Sequence, residues 1–161
     1  MTFVNQSSGA IYLACPTTVI CQRIEIRTSF FRNSSQNCIL LGEDLPAPMA
    51  KTVQHIKVAN NLLNGCGNDG IRLEAGASNI SISDNVISNA VSDALSLGRS
   101  RNPALPNRVE RNVFFVAGLT QNTRGVLFGA NTLIANNLFL SMSPGTSRPS
   151  VAIRGLCGTN D

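Results

Sequence analysis

Tryptophan is absent from this chain of 161 residues, and tyrosine occurs once. Few flat rings are therefore on hand for stacking bases or sugars, which counts against a dedicated stacking platform. Charge is scarce as well. Only 14% of residues are Asp, Glu, Lys or Arg, against roughly 25% in an average domain. Asn, Ser, Thr and Gly must supply the surface polarity, which suits strands better than helices, whose exposed faces draw on Glu and Lys. The net charge is +4, and no basic run is interleaved with aromatics, so nucleic acid is not an expected partner. No apolar run is long enough to span a membrane. The stretch MTFVNQSSGAIYL at the start has no basic segment before its apolar residues, so no secretory signal is read there. On that reading the chain is either cytoplasmic or a piece of a longer secreted protein.

Cysteine gives no framework. The five residues Cys15, Cys21, Cys38, Cys66 and Cys157 are odd in number and irregular in spacing, with no CxxC pair for a metal. The expectation is mostly free thiols packed as small hydrophobes, with a bridge between Cys15 and Cys21 left open.

What the sequence does have is a repeat. The unit runs apolar, any, apolar, two residues, Asn, two apolar. It reads IKVANNLL from Ile56 and ISISDNVI from Ile80, with variants RVERNVFF from Arg108, LIANNLFL from Leu133 and IEIRTSFF from Ile24. Aligned three residues before the Asn, the apolar column is Ile26, Val58, Ile82, Val109, Ile134, with neighbours 32, 24, 27 and 25 residues apart. The Asn column is Ser29, Asn61, Asn85, Asn112, Asn137. Two residues further on stand Phe31, Leu63, Ile87, Phe114, Phe139. A second set of columns lies between these: Ile11, Ile39, Ile71, Leu95, Val126, Val151, and two residues later Leu13, Leu41, Leu73, Leu97, Phe128, Ile153. A spacing of two puts both members of a pair on one face of a strand. Glycines at 42, 98 and 129 follow, where a corner must turn.

A period near 25 with two or three short strands per repeat predicts a solenoid in which each coil buries its apolar face only against its neighbours. Asn at a corner tolerates the left-handed conformation and bonds to the coils before and after, as ladders of Asn do. The predicted class is all-β, a right-handed single-stranded parallel β-helix of about five to six coils. One domain is read over residues 1–161, whole or part of a longer β-helix.

The motifs NNLLNGCGNDGIRL (Asn60–Leu73) and SNISISDNVISNAVSDALSL (Ser78–Leu97) resemble the right-handed parallel β-helix of the pectin-lyase-like superfamily. The likeness extends over roughly residues 8 to 155. It implies the fold, an extracellular setting and carbohydrate as the ligand class, but it carries no catalytic residues across. The paired aspartates with His and Arg-Lys of the pectin hydrolases are missing, as is the Asp-Pro-His-Asp motif of alginate epimerases. No GxSxG, Walker loop or HExxH occurs either.

Candidate site residues come from reading the coils vertically, about 4.8 Å apart. Asp69 and Asp93 fall in one column with Arg124 above them. Two such carboxylates could raise one another's pKa and serve as acid and base on a glycoside. They would make only a sparse Ca²⁺ site, so no metal or cofactor is assigned. The plainer reading is that NDG and SD are turn formers. Arg72, Arg99, Arg101 and Arg108, with Arg124, are candidates to grip an acidic polysaccharide, since Arg matches planar anions and eleven of the thirteen basic residues are Arg. The alternative for them is solvated surface. Asn60, Asp84, Arg111 and Asn136 form another column beside the Asn corner, and Glu25 lies one coil below Lys57. The only His, His55, reads as a turn residue. Three longer stretches, 42–54, 98–107 and 142–150, contain prolines and are read as loops outside the strands. Two functions compete: a carbohydrate-binding or carbohydrate-processing β-helix, directed at an acidic polysaccharide, and a structural or assembly module that associates through its open coil ends.

Overall fold

The computed structural model describes residues 1–13, 15, 20–42, 53–74, 77–98, 105–116, 124–129, 131–141 and 151–155. All regular structure among them is β, and every strand pairing is parallel. The chain winds through four sheets in turn. A short sheet holds Cys21–Gln22, Val53–Gln54 and Ala77–Ser78. The first long sheet holds Glu25–Arg27, Lys57–Ala59, Ser81–Ser83, Asn107–Glu110 and Thr132–Ala135. The second holds Thr2–Val4, Phe30–Ser34, Leu62–Cys66, Val86–Ala90, Val113–Val116 and Leu138–Ser141. The third holds Ile11–Leu13, Ile39–Leu41, Ile71–Leu73, Asp93–Leu97, Arg124–Phe128 and Val151–Gly155. This is the parallel β-helix that the repeat predicted.

The predicted columns are the observed registers. Ile26, Val58, Ile82, Val109 and Ile134 pair strand to strand, and so do Phe31, Leu63, Ile87, Phe114 and Phe139. These side chains fill the bore, where Phe31, Leu63, Ile87 and Phe114 are 0% exposed. Phe3 stacks on Phe31 at 4.9 Å and Phe114 on Phe139 at 5.1 Å. Burying one Leu, Ile or Phe contributes about 1.5–3 kcal/mol, and the whole core repeats that gain coil by coil.

Three details differ from the sequence reading. In the last strand of the third sheet, Val126 pairs with Ile153 and Arg124 with Val151, so the register is displaced by two. A slip of two keeps inward residues inward, and alternation alone could not detect it. The left-handed residue at the corner is the one before the Asn: Thr28, Asn60, Asp84, Arg111 and Asn136 have φ between 50° and 58°. That residue turns the chain, and the following Asn points inward. The fourth, short sheet was not foreseen, because two-residue strands show no alternation. The three stretches predicted as loops from their prolines lie mainly outside the described residues, but Val53–Gln54 and Asn107, which end the first two, are in strands and not in loops.

The cysteine expectation is also corrected. Cys38 and Cys66 form a disulfide across adjacent coils, 28 residues apart in sequence, and Cys15 bonds Cys21. Cys38 and Cys66 are buried, which hides from the sequence that they are neighbours as well as hydrophobes.

Candidate functional site

The corner Asn residues form a continuous ladder. Asn61 Nδ2 donates to Asn85 Oδ1 at 2.9 Å, Asn85 Nδ2 to Asn112 Oδ1 at 3.0 Å, and Asn112 Nδ2 to Asn137 Oδ1 at 3.0 Å. Each Oδ1 also accepts the backbone N–H of the preceding coil, and Ser29 N–H begins the series on Asn61. Each Nδ2 further reaches an inner carbonyl, Asn85 to Val58 at 2.9 Å for example. Buried amides are thereby satisfied inside the stack, and this column is scaffold.

Asp69 and Asp93 stand on adjacent coils, each 2% exposed. Asp69 N–H donates to Asn37 Oδ1 and Asp93 N–H to Asp69 Oδ1, both at 3.0 Å. The column Asn37, Asp69, Asp93 is thus a second ladder, and Asp69 holds the next coil's backbone. Arg72 Nη1 lies 3.5 Å from Asp69 Oδ2, and Arg72 Nε donates to Glu74. Acid–base work on a polymer needs a carboxyl group in reach of the glycosidic bond, and this pair lies under the surface.

Of the Arg candidates, Arg72 and Arg108 lie on different sheets and do not share a face. Arg72 projects from the third sheet, between two carboxylates. Arg108 projects from the first sheet, 4.0 Å from Glu110. Arg124 pairs with Asp93 in backbone register. Arg99 and Arg101 lie outside the described residues. Arg111, one residue before the ladder, grips Asp84 on the coil below through Nε and Nη2 at 2.8 and 3.0 Å. That hydrogen-bonded guanidinium holds the Asp84 carboxyl below its ordinary pKa. Glu25 is opposite Lys57 in register but its carboxylate meets Arg27 at 3.3 Å. His55 sits at a left-handed corner, φ 54°, with Nδ1 2.6 Å from Asn79 Nδ2.

Two outward surfaces remain. On the third sheet Tyr12, Leu40, Arg72, Ser96 and Leu127 are in register, and Tyr12 is 55% exposed. A groove of about 270 Å³ opens beside Tyr12 and Leu40, floored by Gly9 and Asn37. On the second sheet Phe30, Leu62, Val86, Val113 and Leu138 make an apolar outward column. A wider hollow of about 550 Å³ runs beside that column at the corner of Thr28, Asn60 and Asp84. Sequence alternation marked these as outward positions, but nothing in it distinguished them from ordinary solvent-facing residues.

Winding, register and ladder together define a parallel β-helix repeat protein. A family model described as "Periplasmic copper-binding protein (NosD)" matches residues 5–147, and the chain belongs to that family. Neither the curated proteins nor the solved structures gave a match.

A copper ion calls for imidazole, thiolate or thioether donors brought together. Among the described residues no three His, Cys, Asp or Glu side chains are grouped to hold a metal. The single His is engaged by Asn79, and four of the five Cys are in disulfides. The described residues do not fit a copper centre.

Proposed function

We propose that the chain is a carbohydrate-binding β-helix working in an oxidising compartment, with an extended polysaccharide lying along the outer face of the third sheet. The observation that carries this reading is the straight outward column Tyr12–Leu40–Arg72–Ser96–Leu127. It offers a half-exposed aromatic ring, apolar and polar side chains at a strand spacing of about 4.8 Å, and so a track of about 19 Å across five strands. The backbone beneath it is fixed by the Asn37–Asp69–Asp93 ladder, so the track is pre-organised. Arg72 is matched by Asp69 and Glu74, which tilts the preference from an acidic polymer toward an uncharged one. Two disulfides favour an oxidising setting, in keeping with a family described as periplasmic.

Incubation with neutral and uronate-containing polysaccharides tests this. Binding to a neutral polymer, without new reducing or unsaturated ends, is the expected result. Turnover would restore an enzyme reading around Asp69 and Asp93, and no binding to any polymer would end the glycan reading.

A second reading, a structural module that assembles with other chains, is favoured by the apolar column on the second sheet, where Leu62 is 43% and Leu138 51% exposed. Mass by light scattering separates it: a concentration-independent monomer speaks against it.

A further inference from the structure

Building on the glycan-binding reading above, we propose that the groove beside Tyr12 is a subsite for one uncharged pyranose ring of a longer glycan. Its volume, about 270 Å³, lies just below the roughly 300–1,000 Å³ of pockets for larger ligands, a size for one ring. It is lined by Ser8, Gly9, Tyr12, Gln36, Asn37 and Leu40.

The groove exists because the second ladder breaks there. Ile11 pairs with Ile39 and Ile39 with Ile71, so Gly9, Asn37 and Asp69, each two residues earlier, stand in one column. Asn37 and Asp69 each accept the backbone N–H of the following coil. Gly9 has no side chain to take part, and a Cβ built on it would lie 3.0 Å from the Asn37 carbonyl. The missing side chain leaves the hollow open over Asn37.

Asn37 is 8% exposed. Its Oδ1 is committed to Asp69 N–H at 3.0 Å, which fixes the amide orientation, and its backbone oxygen accepts Ser34 Oγ at 3.3 Å. Its Nδ2 has no hydrogen-bond partner among the described residues. Asn37 lines the groove, so a ligand oxygen there can accept from this amide. Exposed Gln36 adds a second amide at the rim. Tyr12 and Leu40 form an apolar wall one coil apart. A pyranose ring has an apolar C–H face for that wall and hydroxyl oxygens at its edge for the amides, the mix of apolar lining and a few placed polar groups typical of small-ligand sites. Among the described residues no charged side chain lines the groove, so a uronate would bring a carboxylate with no counterion from them.

Tyr12 is the only tyrosine, and there is no tryptophan, so tyrosine emission reports on this groove alone. The test titrates the protein with cello- and chito-tetrasaccharides and with tetragalacturonate, followed by tyrosine emission and by calorimetry. A saturable emission change is expected with at least one neutral probe, with tetragalacturonate weaker by about tenfold or more. Asn37→Asp keeps an acceptor for the Asp69 amide, as Asp69 does for Asp93, but removes the donor. It is expected to weaken neutral binding by about tenfold. Tyr12→Ala, at a position 55% exposed, is expected to do the same by calorimetry, and Tyr12→Phe to stay within about threefold of the parent. Neutral binding that leaves tyrosine emission unchanged and survives Tyr12→Ala overturns the subsite while sparing the glycan-binding reading. No calorimetric binding of any polysaccharide or tetrasaccharide overturns both.

Discussion

At the scale of single residues, the Asn ladder carries most of the specificity of the winding. Asn85 is 0% exposed. It donates to Val58 O, Ser83 O and Asn112 Oδ1 and accepts from both nitrogens of Asn61. Asn85→Ala strands two buried donors on Asn61 and a carbonyl on Val58, each costing about 1–3 kcal/mol. A destabilisation of about 3 kcal/mol or more is expected, read as a lower urea midpoint at unchanged slope. Asp84 and Arg111 make a weaker statement. The folded-state pKa of Asp84 lies below its ordinary 3.8, so the pair stabilises the fold above that value and ceases to do so as pH falls through the folded pKa. Urea midpoints of the parent and Asp84→Asn should differ slightly at neutral pH in low salt, converge in high salt, and converge again in acid. The Asn column was legible in the sequence because each Asn sits at the same offset from two apolar residues. Its left-handed neighbour was not, since Thr, Asn, Asp and Arg all occupy that position.

At the scale of strands and coils, alternation spaced by two identified the three long sheets and their inward columns. It failed where the physics is degenerate: at Val126, where a slip of two leaves burial unchanged, and at Val53–Gln54 and its partners, too short to show a pattern. It also failed at Cys38 and Cys66, which look like any small buried residue until the coil length sets them opposite one another. That crosslink closes a loop of 28 residues, worth about 3–4 kcal/mol on the chain-entropy estimate. Replacing both by Ala should lower stability by about that much, measured by urea unfolding without reductant. A thiol titration of the unreduced, denatured protein should find at most one of the five cysteines free. Free thiols at Cys38 and Cys66 would return them to the simple packing role the sequence suggested.

At the scale of the whole molecule, each strand bonds only to the strand one coil away, so stability is close to a sum of nearest-neighbour terms. Phe114 is buried and stacked on Phe139. Phe114→Ala should cost about 3–5 kcal/mol, but locally. Hydrogen exchange is expected to quicken in Val113–Val116 and Leu138–Ser141 while Phe30–Ser34 keeps its protection; uniform loss along the chain would contradict a coil-by-coil molecule. The candidate site belongs to this scale, which is why little of it was legible. Gly9 and Tyr12 stand one coil before Asn37 in the chain, unremarkable singly, and meaningful only once one coil lies over the next. The vertical alignment of Asp69 and Asp93 is legible in the sequence and present in the fold, yet alignment says nothing about how deep a carboxylate lies.

Strand order within every long sheet follows chain order. A polypeptide emerging from the ribosome therefore never has to wait for a distant segment before its next turn can be laid down. Each finished turn serves as the template for the one still being synthesised, so the same plan permits turns to be gained or lost whole over generations without redrawing the rest.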